Sequence, residues 1–103
     1  MSKKTKKPLD VVRVPRAVKV GGFTLPIYKS DSDKFDSAYY GEYDHVEGHI
    51  TLNGEDKIPL QRVQETLLHE CIHAVDDAVG IGLKESQVRQ LGRNIYALLR
   101  DNK

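Results

Sequence analysis

The sequence predicts an α+β domain: a small antiparallel sheet made of two hairpins, followed by two helices packed on one of its faces. Three observations carry this. Gly21-Gly22 separates two β-prone runs within Ala17–Ser30, and a second pair of such runs lies within Ser37–Asp56. After Pro59 the apolar residues recur at helical spacing. Strands in one block and helices in the next make an α+β layer arrangement.

In the first hairpin, both glycines take positive φ without penalty, so the pair suits a tight turn. Pro26 has no N–H to give to a ladder, which predicts an edge or a bulge there. "KSDSDKFD" reads as a polar loop. In the second hairpin Val46, Ile50 and Leu52 are the candidate inward positions. Residues 44–48 supply the turn, and Asn53-Gly54 ends the second strand.

The first helix runs from Leu60 to Val79. Val63, Leu67, Cys71, Ala74, Val75 and Ala78 form its apolar face. Gly80 and Gly82 stop it, since glycine is favoured just past a helix C-terminus. The second helix runs from about Glu85 to Asp101 and carries Val88, Leu91, Ile95, Leu98 and Leu99. Gly92 weakens that helix, and a close helix–helix approach is the expected return.

With 103 residues, the chain predicts one domain. Residues 1–10 read as a basic disordered tail holding Lys3, Lys4, Lys6 and Lys7, and residues 11–103 as the domain. The formal net charge of +1 gives no argument for nucleic acid or an anionic membrane as the main partner. There is one cysteine, Cys71, where a small secreted scaffold would carry several in pairs. No apolar run is long enough to span a bilayer, and none follows the N-terminal lysines as a secretory signal would. These features predict a reducing, cytoplasmic setting.

The chemistry is concentrated in "TLLHECIHAVDD", Thr66–Asp77, which holds H-E-x-x-H. With His69 at zero on a helical wheel, His73 falls at about 40° and Glu70 at about 100°. Leu67, Cys71, Ala74, Val75 and Ala78 fall at about 140–240°, on the other side. The two imidazoles therefore form a stripe away from the apolar face. One turn apart, they can reach one Zn²⁺ at about 2.0–2.1 Å each. Glu70, beside the first ligand, is placed to take a proton from a zinc-bound water and later pass it to the leaving amine.

A catalytic zinc takes a third protein ligand. The candidates are His45, His49, Cys71, Asp76, Asp77 and Glu85. Cys71 belongs to the apolar face. Asp76 lies two turns from His69, about 10 Å along the axis, too far for one ion. Asp76 and Asp77 suit the orienting of an imidazole or a solvated helix end. Glu85 is the best candidate: it opens the second helix, and the connection after Val79 can span back to His73. An N-terminal glutamate favoured by the helix dipole is the plain alternative.

"LLHECIHAVDD" followed by "GIGLKESQVRQLGRNIYALL" resembles the zincin metallopeptidases, and within them the gluzincins of minimal, single-domain size. It is similar as well to short metallopeptidase-like proteins of bacteriophages and prophages. The resemblance implies His69, His73 and Glu85 as zinc ligands, Glu70 as general base and acid, and hydrolysis of peptide bonds. It also implies that a rim strand pairs with an extended substrate, here Gly48–Asn53. The interval from His73 to Glu85 is shorter than in larger members, and no second subdomain is recognisable. Tyr39, Tyr40, Tyr43, His45 and Tyr96 are open candidates for stabilising an oxyanion.

Two other functions fit parts of the pattern. One is a protein-binding module in which zinc serves folding alone. The other is a phage or prophage regulatory protein in which Lys84, Arg89 and Arg93 touch nucleic acid.

Overall fold

The computed structural model describes residues 14–30, 40–54 and 58–102. The expected basic tail and most of the polar loop lie outside these residues. The strands are β1 (Ala17–Val20), β2 (Phe23–Ser30), β3 (Gly41–Asp44) and β4 (His49–Asn53). They are followed by the helices α1 (Leu60–Val79) and α2 (Glu85–Asp101). The architecture is α+β, as the sequence predicts.

The sheet is mixed rather than antiparallel, with strand order β1-β2-β4-β3. Each hairpin is antiparallel, but the two join through β2 and β4, which run parallel with Ile27 opposite Ile50 and Lys29 opposite Leu52. The order follows from which strand must be buried. β4 carries Ile50 and Leu52, both 0% exposed, so it takes the centre. β3, which carries Gly41, Glu42 and Asp44, takes the edge.

Pro26 also differs from expectation. β2 is not an edge strand: its first half pairs with β1 and its second half with β4. Pro26, opposite Ala17, is the last residue of the first register, and Ile27 opens the second. The missing N–H falls where the strand changes partner, so no ladder bond is lost.

Leu25, Ile50, Leu52 and Ala74 form the core, with Val63, Leu67 and Cys71 of α1 packed against them. Full burial of a residue such as Ile50 or Leu52 contributes roughly 1.5–3 kcal/mol. Val46 was an expected inward position but is 80% exposed, because it lies in the β3–β4 turn. Val75 is exposed as well. At the first hairpin turn, Gly21 has φ of 57°, and a Cβ there would meet that of Ala78 at 2.9 Å. Glycine is required at that point by backbone and space together.

α2 packs on α1, so α1 lies between the sheet and α2. Gly92 is the point of approach: its Cα faces the backbone of His69. Val88 is fully buried, while Leu91, Leu98 and Leu99 stay exposed. Gly80, at φ 72°, closes α1 and donates its N–H to the Asp76 carbonyl at 2.7 Å. No described helix is long and apolar enough to cross a membrane.

Candidate metal centre

α1 carries His69 and His73 one turn apart, with ring centroids 4.9 Å from each other. Glu85 is the first residue of α2, and its carboxylate bridges the two rings. Oε2 lies 2.8 Å from His69 Nε2, and Oε1 lies 2.9 Å from His73 Nε2. Two ligands on one tetrahedral zinc stand roughly 3.3 Å apart, given bonds of about 2.0–2.2 Å. The three side chains already sit near that spacing, with one donor atom from each within 4.8 Å of the others. Two neutral nitrogens and one carboxylate form a donor set suited to a divalent ion of zinc type. Burial lowers the pKa of His69, which favours the neutral ring that a metal ligand needs.

The short connection reaches back because Asp76 folds it. Asp76 Oδ1 accepts the N–H of Gly82 at 2.8 Å, and Oδ2 accepts that of Leu83 at 3.1 Å. The start of α2 is fixed in turn by Gln87, whose Oε1 accepts the Lys84 N–H at 2.8 Å. Asp76 therefore holds the backbone that carries Glu85.

Glu70 is 8% exposed and lies deeper than either histidine. Burial first, then the nearby charges of Glu85 and Glu42, push its pKa from 4.5 to about 7. The backbone N–H of Tyr43 donates to its carboxylate. A group with that pKa can both take and return a proton near neutrality.

β3 forms one wall of the cleft and α1 with α2 the other; Tyr43, His69, Glu70, His73, Glu85 and Arg89 all line it. In the β3–β4 pair, the Asn53 N–H donates to the Tyr40 carbonyl at 2.8 Å. By antiparallel alternation, Glu42 and Asp44 also turn their backbone groups toward β4, and Gly41 and Tyr43 turn theirs outward. Among the described residues, the sheet edge at this cleft is thus β3. Gly48–Asn53, expected at the rim, is flanked on both sides instead: β4 pairs with β2 and β3. It has no free edge for a further strand.

The remaining candidates separate clearly. Cys71 is a free thiol turned to the core, and burial raises its pKa to about 11. Asp77 Oδ2 accepts the Tyr43 hydroxyl at 2.9 Å and so ties the rim strand to α1. His45 lines the cleft, whereas His49 packs edge-on against Tyr28. Tyr96 is not among the residues lining the cleft, and its hydroxyl donates to Gln64 at 2.8 Å. Tyr40 lies under the Arg62 guanidinium, and Tyr39 falls outside the described residues. A second group of ligand-type side chains, Asp44, Glu47 and His49, sits at the β3–β4 turn. There Asp44 Oδ1 is already occupied by the N–H groups of Val46 and Glu47.

The residue that sequence reasoning undervalued is Tyr43. Its backbone holds Glu70 and its hydroxyl holds Asp77, and neither contact leaves a mark in local spacing. Comparison of the chain with protein-family models, with curated proteins and with solved structures gives no match.

Proposed function

We propose that this protein is a zinc-dependent endopeptidase acting on extended peptide segments. The reading is carried by one observation: His69, His73 and Glu85 converge within ligand distance of one another, with the buried Glu70 beside them. The resemblance to minimal gluzincins points the same way. A zinc ion held there would acidify a bound water and polarise the substrate carbonyl.

Glu70 takes the proton of the attacking water and delivers it to the leaving amine. Its raised pKa suits both steps, and the Tyr43 N–H fixes its orientation. The substrate lies along the outward edge of β3 by strand addition. Gly41 offers its N–H and carbonyl and Tyr43 its carbonyl, since the Tyr43 N–H is committed to Glu70. The single free cysteine supports a reducing, cytoplasmic place of work.

A purely structural zinc is the second reading. It gives no reason to bury a carboxylate beside the ligands, a costly arrangement. The test is Glu70→Gln, with bound zinc and peptide cleavage measured on the same preparation. The expected result is unchanged zinc and a loss of cleavage of at least about 100-fold. Cleavage at the parent rate removes the peptidase reading, and Glu85→Ala with unchanged zinc affinity removes Glu85 from the ligand set.

A further inference from the structure

Tyr43 of the rim strand is fastened to α1 at both its backbone and its side chain. Its N–H donates to the Glu70 carboxylate. Its hydroxyl donates to Asp77 Oδ2 at 2.9 Å. Between these contacts the ring packs against the core that includes Ala74. Glu70 and Asp77 are seven positions apart, so they share one stripe of α1, about 10 Å along the axis. One residue of β3 therefore spans two turns of the helix that carries His69 and His73.

This span matters because little else fixes either partner. Among the described residues, β3 pairs with β4 alone. Glu70 is buried, and among the described residues only the Tyr43 N–H donates to its carboxylate. A carboxylate with one donor takes its direction from that donor. A hydrogen bond weakens steeply as its angle closes, so a small slide of β3 along α1 would release the base. The hydroxyl on Asp77 resists that slide, since it grips α1 two turns beyond Glu70.

We propose that Tyr43 is a positioning residue for the base: its hydroxyl, anchored on Asp77, holds β3 at the height on α1 where its N–H meets Glu70. The carbonyl of the same residue turns outward. A peptide paired there and the carboxylate that serves it are thus set by one side chain. The inference rests on the peptidase reading for its effect on rate, but the hydrogen bond to Glu70 can be read without cleavage.

The experiment uses two variants of the zinc-loaded protein. Tyr43→Phe keeps the ring and its packing and removes the hydroxyl. Asp77→Ala removes the anchor at an exposed position. In each, kcat on a peptide substrate should fall about 10–100-fold with KM within about threefold of the parent, as small misplacements at a reacting centre do. Bound zinc should not change. The double variant should be no slower than either single one, because both remove one tie. Asp77→Asn keeps an acceptor oxygen and should recover most of the rate. Amide hydrogen exchange, resolved by residue, gives a readout that needs no turnover. In Tyr43→Phe the amide at position 43 should exchange at least about tenfold faster than in the parent. The Asn53 amide, which donates to the Tyr40 carbonyl at 2.8 Å, should keep its rate. Unchanged exchange at position 43 overturns the proposal, and so does equal acceleration at Asn53, which would mean that the strand merely loosens. A rise in KM with kcat intact overturns it as well, since the tyrosine would then be a substrate contact. If the parent cuts no peptide, the peptidase reading falls, and faster exchange confined to position 43 still establishes the tie.

Discussion

Asp76 accepts the backbone N–H of Gly82 across six positions of chain, at 2.8 Å. Its second oxygen takes the Leu83 N–H, so one side chain sets the path from α1 to α2. Glu85 comes two residues later and owes its reach to this clamp.

Asp76→Ala is therefore expected to weaken zinc binding by about 10–100-fold, as losses of supporting contacts around metal ligands do. Helix content by circular dichroism should be unchanged, since the core contacts of α1 are elsewhere. Asp76→Asn keeps one acceptor oxygen and should fall between parent and Ala. Competition against a chromophoric chelator reads all three. An Ala variant that binds zinc like the parent would show that the connection holds its shape without the clamp.

Two glycines near the site should respond oppositely to alanine. A Cβ on Gly92 would meet His69 Cα at 3.6 Å, an ordinary contact, so helix propensity decides and Gly92→Ala should stabilise by about 0.5–1 kcal/mol. A Cβ on Gly41 would meet Thr66 Cγ2 at 2.8 Å and Leu52 Cδ2 at 3.0 Å. Gly41→Ala should cost about 1–3 kcal/mol, as overpacking does, and push the rim strand from α1. Urea unfolding of both variants checks the signs, and equal signs would contradict the packing described.

Glu70 should make the metal-free protein less stable as pH rises. Its folded pKa, about 7, is above the unfolded value of 4.5. Below pH 4.5 the proton is bound in both states, and the group has no effect. Between 4.5 and 7 the unfolded chain ionises first, so stability falls, by on the order of 3 kcal/mol in total. His69, whose pKa is lowered, acts in the other direction and loses stability as pH falls. The clean quantity is thus the difference between the parent and Glu70→Gln, measured with chelator at pH 5 and pH 8. The parent should lose more stability than the variant over that interval. A difference that does not change with pH would mean that Glu70 titrates normally.

Most of the helical half was legible in the sequence. Pro59, Gly80 and Glu85 bound the two helices, and the wheel puts His69 and His73 on one stripe because an α-helix fixes neighbours one turn apart. Ile50 and Leu52 were legible as inward residues for the same local reason, the alternation of a strand. Val46 departs from that alternation because a turn residue keeps no face.

Local sequence specifies the elements, the histidine stripe with its glutamate, and the glycines that end α1. Long-range packing settles the rest. It placed β4 at the centre and β3 at the rim, since burying Ile50 and Leu52 outweighs the order of strands along the chain. It also joined Asp76 to Gly82, Tyr43 to Glu70, and Glu85 to both imidazoles. Helical spacing and caps are interactions over a few residues and can be read from neighbours. Strand order and carboxylate partners depend on segments far apart in sequence, and only the packed chain brings them together.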